Sequence, residues 1–239
     1  MRDSTPCPFG PEYQVYWDMR HDLLRRFDQA QVDATGLYTM VPEAPALDMA
    51  RRASGSRSLD ICSGIGAMSL ALARAGQWVT AVELDASRVE MARHNAQLYG
   101  VAERIDFRVA DATQLPAATL PTGIHTVFLD PPWGRGPGDY LKRGSTRLED
   151  LMLAGLDLRE LLSRLPGAEV MMRLPPNFDI RIFLGVPAEK LAYVTRTGML
   201  HWYFIRMSRA GFIALGERDA AADSEAAKRE FKAILLPTT

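Results

Sequence analysis

The stretch Ser58-Leu59-Asp60-Ile61-Cys62-Ser63-Gly64-Ile65-Gly66 decides the fold. Alternating buried-type residues at 58–62 read as a short strand, and the two glycines read as a tight turn. Ala67–Ala75 follows with helical spacing, so the unit is strand, glycine turn, helix. The same grammar then repeats. Trp78–Val82 is a strand and Ser87–Tyr99 a helix closed by Gly100. Ile105–Val109 and Thr126–Leu129 are strands, Asp150–Ser163 a helix, and Glu169–Arg173 a fifth strand ended by Pro175-Pro176. Leu191–Arg196 and Leu200–Met207 form two strands joined at Thr197-Gly198. Strands alternating with helices predict a Rossmann-like, doubly wound α/β fold with a mostly parallel sheet, closed by an antiparallel edge hairpin.

Upstream, residues 1–10 read as a loose arm, Pro11–Phe27 and Glu43–Ala53 as helices, and Gly36–Pro42 as the break between them. The expected organisation is therefore a helical extension over 1–53 that covers the active site, a core over 54–215, and a terminal helix or tail over 216–239.

Composition sets bounds on function. The chain has 239 residues, 47% of them hydrophobic and 24% charged, with a net charge of −1. That is ordinary globular composition, with no global charge calling for nucleic acid. Its two cysteines, Cys7 and Cys62, make neither a disulfide framework nor a zinc pattern. No apolar run reaches the roughly 18 residues of a membrane span, and no signal-type segment opens the chain. The expectation is a cytoplasmic protein without metal or membrane, a monomer or weak dimer.

The glycine turn carries the first chemistry. Glycine lets a backbone approach a ligand closely, and the following helix presents free N–H groups. Positions 67–69 are Ala-Met-Ser, so the third glycine of a dinucleotide fingerprint is missing. Asp60, four residues before Gly64, would repel a pyrophosphate but suits the cationic amino group of a methionine moiety. Glu83 ends the second strand, where an acid accepts both ribose hydroxyls. Asp111 follows the third strand; its carboxylate suits an adenine amino group, with the Ala112 N–H facing a ring nitrogen. Each acid alone has a plain reading as a cap or turn residue. Together, at three successive strand ends, they point to S-adenosylmethionine, with S-adenosylhomocysteine as product. The candidate donor-binding set is Asp60, Cys62, Gly64, Gly66, Glu83, Leu84, Asp111 and Ala112, with Pro42 from the N-terminal segment.

The fourth strand delivers Asp130-Pro131-Pro132-Trp133-Gly134. An amino group on a heteroaromatic ring is planar and a poor nucleophile. Two acceptors on its hydrogens draw it towards a tetrahedral shape, and the Asp130 carboxylate and Pro131 carbonyl are suited to that task. The prolines stiffen the segment and leave its carbonyls unbonded. Trp133 offers a stacking face for a base, worth roughly 1–3 kcal/mol. Asp130, Pro131 and Trp133 are the candidate catalytic residues.

These motifs resemble the trimethylguanosine synthases, the RNA cap guanine-N2 methyltransferases, over roughly residues 12–207. The resemblance is carried by Tyr16-Trp17, Arg20, Arg26-Phe27-Asp28, Gly36-Leu37-Tyr38 and Pro42-Glu43, then the Asp60–Gly66 turn. It continues through Ala92-Arg93-His94-Asn95-Ala96, Tyr99-Gly100, the Asp130–Gly134 motif with Tyr140, and Leu174-Pro175 with Asn177. It implies that the extension closes over the cap and that Trp133 stacks on a methylated guanine. Three departures stand out. The family often has Ser where this chain has Asp130. Its Gly-Gly-Asn is Gly66-Ala67-Met68 here, and its Trp-Gly-Gly-Pro is lengthened to Trp133–Gly138. The candidate substrate-binding set is Trp133, Gly134, Arg135, Tyr140, Asn177 and Tyr38. Arg135, Lys142, Arg143 and Arg147 form either a phosphate-binding group or a solvated loop face. The expected acceptor is a guanine N2 in a capped RNA, another RNA or a guanine nucleotide. Two alternatives stay open: N-methylation of a small aromatic metabolite, and a donor-binding scaffold without catalysis.

Overall fold

A computed structural model describes residues 5–134, 136–216 and 223–236. They fall into two compact units that divide between Leu115 and Pro116.

The first unit opens with short helical pieces rather than one long helix. After a 3-10 turn at Pro11–Tyr13 come α1 (Gln14–Asp18) and α2 (Arg20–Leu23), then a second 3-10 turn at Phe27–Gln29. The stretch read as a break instead contains α3 (Ala34–Thr39), because the Asp33 side chain caps it by accepting from the Gly36 N–H. Helix α4 (Glu43–Ala50) follows. Strand β1 (Arg57–Ile61) leads through the glycine turn into α5 (Ala67–Arg74). Strand β2 (Trp78–Glu83), helix α6 (Ala86–Leu98) and strand β3 (Ile105–Val109) complete the unit. The three strands are parallel in the order β3-β2-β1, with Ile61 beside Val82 and Glu83 beside Val109. Their C-terminal ends therefore line up.

Leu23, Leu24, Phe27, Leu37, Met40 and Ile65 form one buried cluster. The extension thus shares a core with the glycine turn, through Ile65. The approach is close: a methyl group on Gly36 would come within 2.8 Å of Ile65 Cγ2.

In the second unit β4 (Thr126–Leu129) pairs parallel with β5 (Glu169–Leu174), and both are wholly buried. Between them in sequence, α7 (Leu158–Arg164) begins late, at its Asp157 cap; the expected first turns are occupied by a bend in which Ala154 has φ 49. Strands β6 (Glu189–Val194) and β7 (Leu200–Ser208) form the expected antiparallel hairpin, with β7 also antiparallel to β5. After α8 (Arg209–Ile213), the terminal segment holds α9 (Ser224–Arg229) and a strand that the sequence reading lacked. This is β8 (Lys232–Leu235), parallel to β6, so the hairpin is bordered by one further strand. The order in this unit is β4-β5-β7-β6-β8. Among the described residues, no helix is long and apolar enough to cross a membrane.

Candidate active site

In the first unit the turn after β1 is built for close approach. Cys62 has φ 63, Gly64 φ 54 and Gly66 φ 88, three left-handed residues within five. A methyl group on Gly64 would meet nothing within 4 Å, so open space faces that backbone. One on Gly66 would lie 3.0 Å from Ala92 Cβ and 3.1 Å from Leu70 Cδ1, so Gly66 packs α6 against the turn. The Ser63 hydroxyl is buried and has no hydrogen-bond partner. A buried polar atom without a partner is costly, and a bound polar group would satisfy it.

Glu83 ties the β2 end to this turn. Its Oε2 accepts from the Gly64 N–H at 2.9 Å and its Oε1 from the Asp85 N–H at 3.0 Å. Each oxygen retains a second lone pair, enough for two ribose hydroxyls. Leu84 beside it is 70% exposed, an apolar face at a strand end. Asp111 caps the turn at Ala112–Gln114; its Oδ1 accepts from the Thr113 N–H at 2.9 Å and the Thr113 hydroxyl at 2.7 Å. Asp60 is buried at 1% exposure and accepts from the Ser69 hydroxyl, so it anchors the first turn of α5 to β1. Pro42 is the residue before α4, and Tyr38 packs its ring against Tyr13 and Tyr16 at 5.9 and 6.2 Å.

Two residues of this unit were not singled out from sequence. Asn95 on α6 is fully buried; its Oδ1 accepts from the Gln31 N–H at 2.8 Å, and its Nδ2 donates to the carbonyls of Gln31 and Ile65 at 3.0 and 3.2 Å. It joins the extension to the glycine turn. Arg88 bonds Asp33 at 2.9 Å and lies 3.9 Å from Glu83. Asn95 lies within the stretch that carries the family resemblance, but its partners are remote in sequence.

The second unit holds the other set. Strand β4 carries Asp130 to its C-terminal end, and neighbouring β5 carries Arg173. The guanidinium grips the carboxylate with two bonds, Nε to Oδ1 at 3.1 Å and Nη2 to Oδ2 at 2.7 Å. Burial pushes the Asp130 carboxyl above its ordinary value, and Arg173 pulls against that shift. The same guanidinium lies 4.6 Å from the Trp133 ring centroid and 5.9 Å from that of Trp202. Trp202 in turn stacks on Tyr193 at 5.4 Å. Sequence reading gave Arg173 no role; its signal is a charged residue in the otherwise apolar strand Val170-Met171-Met172-Arg173-Leu174.

Trp133 meets the edge of Tyr140 at 5.4 Å and 87°, and its indole N–H is buried without a partner. Gly134 is required by packing, since a methyl group there would stand 2.5 Å from Asp139 Cβ. Asn177 acts on the loop: its Nδ2 donates to the carbonyls of Tyr140 and Arg143 at 2.7 and 3.1 Å. The Thr146 hydroxyl donates to its Oδ1 at 3.1 Å. The amide of Asn177, expected at the substrate, is thus engaged in fixing the loop that carries Tyr140. Arg135 lies outside the described residues. Among the described residues no group of three or more His, Cys, Asp or Glu could hold a metal.

Comparison with known proteins bears on both sets. The model of the family described as RNA cap guanine-N2 methyltransferase matches residues 55–196, more than half the chain. The trimethylguanosine synthase of Schizosaccharomyces pombe is 28% identical over 184 residues, covering 73% of this chain and 76% of that protein. That of Saccharomyces cerevisiae is 29% identical over 224 residues, covering 85% and 70%. A 23S rRNA (uracil(1939)-C(5))-methyltransferase, RlmD, of Acidithiobacillus ferrooxidans is 34% identical over 141 residues; the match spans 54% of this chain and only 31% of that protein. Among solved structures, a putative methyltransferase from Porphyromonas gingivalis shares the fold at a TM-score of 0.59 and 18% identity. The likeness covers 86% of this chain and about half, 52%, of that one.

Proposed function

Because the chain belongs to the RNA cap guanine-N2 methyltransferase family, and is with it an S-adenosylmethionine-dependent methyltransferase, we propose that it methylates the exocyclic N2 amino group of guanine in an RNA or a guanine nucleotide. The observation that carries this reading is Asp130, gripped by a two-pronged Arg173 at the end of β4, directly before the Trp133 platform.

Within this proposal the first unit holds the donor. Glu83 takes the ribose hydroxyls, Asp111 and the Ala112 N–H take the adenine edge, and Leu84 covers the adenine face. Gly64 gives room for the methionine moiety, and the Ser63 hydroxyl supplies a bond to it. S-adenosylmethionine, when bound, supplies an electrophilic methyl group on a sulfonium.

The second unit holds the acceptor. Trp133 stacks on the guanine. Asp130 accepts one N2 hydrogen and the Pro131 carbonyl accepts the other, which directs the nitrogen lone pair away from the ring plane. Positive charge that develops on N2 is stabilised by acceptors already in place, the mirror of an oxyanion hole. The proton released from N2 passes to a carboxylate oxygen of Asp130. Lys142, Arg143 and Arg147 supply positive charge for RNA phosphates.

The RlmD match raises a second reading, methylation at uracil C5. That carbon is a weak nucleophile, and its methylation calls for a thiolate that adds to the neighbouring carbon. Both cysteines, Cys7 and Cys62, belong to the first unit. The segment with Asp130 and Trp133 has none, which favours the amino group.

The test is a labelled-methyl assay across guanosine, GTP, 7-methylguanosine cap analogues and bulk RNA, followed by nucleoside analysis. N2-methylguanosine is the expected product, and Asp130→Ala should lower kcat/KM by roughly a hundredfold or more. Full activity in that variant defeats the mechanism. Label at uracil C5, or only in a non-nucleotide aromatic amine, replaces the substrate assignment.

A further inference from the structure

Helix α6 turns one face to the N-terminal extension. Arg88 and Asn95 stand two helical turns apart on it, and both bond the extension. Asn95 is a neutral tie. Arg88 is a charged one, and it reaches the donor end as well. Asp33 divides its carboxylate: Oδ1 accepts from the Gly36 N–H and caps α3, and Oδ2 accepts from Arg88 Nε at 2.9 Å. Elsewhere on the same guanidinium, Nη1 lies 3.9 Å from Glu83 Oε1 and Nη2 3.9 Å from Asp85 Oδ2. Among the described residues, no other Lys or Arg pairs with these three acids.

Without Arg88, three carboxylates would stand together with their charge unmatched. Like charges in a partly buried setting repel more strongly than in water. The groups that would move apart are the cap of α3 and the carboxylate at the end of β2. Resting on Glu83 as the ribose acceptor, as proposed above, we propose that Arg88 is a positioning residue for donor binding: it sets Glu83 for the ribose and, through Asp33, ties α3 to the occupied site. Such coupling is reciprocal. If docking of α3 favours the set form of Glu83, a donor held by that form favours docked α3 by the same factor. Helix α3 carries Tyr38, which packs with Tyr13 and Tyr16, so donor binding steadies that aromatic group as well.

The test compares S-adenosylhomocysteine with its 2′,3′-dideoxy analogue in equilibrium binding to the full chain. The native chain should bind the parent more tightly by roughly tenfold or more, the contribution of hydrogen bonds to a charged group. Arg88→Gln should weaken the parent by about tenfold, within the usual range for coupled sites, and the analogue far less. Arg88→Lys keeps the cation and should restore most of that loss. Asp33→Asn keeps the cap of α3 but breaks the ion pair. It should weaken the parent in the same way, and adding it to Arg88→Gln should cost little more. Either variant serves if the other does not fold. The amides of Leu37 and Met40, which bond the carbonyls of Asp33 and Gly36, report on α3 by hydrogen exchange. The parent should slow them by about the same factor in the native chain, and not in Arg88→Gln. Equal weakening of both ligands, or no weakening, overturns the positioning role, and exchange that the parent leaves unchanged overturns the tie to α3. If the native chain binds both ligands equally, or Glu83→Gln costs no affinity, the ribose assignment beneath it falls instead.

Discussion

At the scale of single residues, the proposed mechanism makes activity depend on the proton of Asp130. Burial raises the Asp130 carboxyl above its ordinary value of 3.8, and Arg173 opposes the rise. On the proposed mechanism methyl transfer needs the carboxylate, so activity should fall as pH drops through the raised folded-state value. For stability the sign is the reverse of the common one for acids. The folded chain binds this proton more tightly than the unfolded chain, so the contribution of Asp130 to stability declines as pH rises from 3.8 through the folded value. In Arg173→Gln the opposing charge is gone and the acidic limb of kcat/KM should move to higher pH. A pH–rate profile checks this; a limb that stays put, or moves down, shows that Asp130 is not the titrating group. Asp130 and Trp133 were legible in the sequence because a short motif carries them. Arg173 was not, because its meaning comes from the pairing of β5 with β4, which sets Met172 beside Leu129 and brings two strand ends together.

At the scale of elements, the parallel strands β1 to β5 were legible from buried runs and punctuating turns, and the antiparallel hairpin from its Thr-Gly turn. The misreadings have local causes. The N-terminal stretch lacks a long apolar stripe, so it forms several short pieces, each anchored by packing rather than by its own length. Gly36 looked like a breaker, yet the Asp33 cap starts a helix around it. Strand β8 is only four residues long and follows an Ala- and charge-rich stretch, so its strand character comes from pairing with β6, with Leu191 beside Lys232. The glycine turn likewise depends on a remote element, α6, through Asn95. Replacing that buried side chain by Leu removes three hydrogen bonds and strands buried backbone groups, at a cost of about 2–4 kcal/mol. Urea unfolding should register that loss, and calorimetry should show weaker binding of S-adenosylhomocysteine, because Ile65 is one of the freed partners. A change under about 0.5 kcal/mol, the usual bound for a surface site, would show that the contact is incidental.

At the scale of the whole molecule, charge bounds how the proposed RNA substrate would be held. The chain carries 28 basic and 29 acidic residues, and many arginines are matched internally. Arg88 pairs with Asp33, Arg159 with Asp157, Arg173 with Asp130, Arg181 with Asp179 and Arg206 with Glu169. Lys142 is paired with Asp139 but 78% exposed, and Arg143 and Arg147 are exposed on the same loop. RNA affinity resting on these three side chains involves about three phosphates. For a single strand, each phosphate contact contributes about −0.7 to the slope of log affinity against log salt, so the expected slope is about −2. Charge reversal at two of them, Lys142→Glu with Arg143→Glu, should flatten that slope by about one and a half and weaken RNA binding at low salt. Methylation of free guanosine, which has no phosphate, should be unaffected. Filter binding over a potassium chloride series measures the slope. A value steeper than about −4 would require many more phosphate contacts than this loop supplies. A slope near zero, with guanosine used as readily as RNA, would make the free nucleoside the substrate.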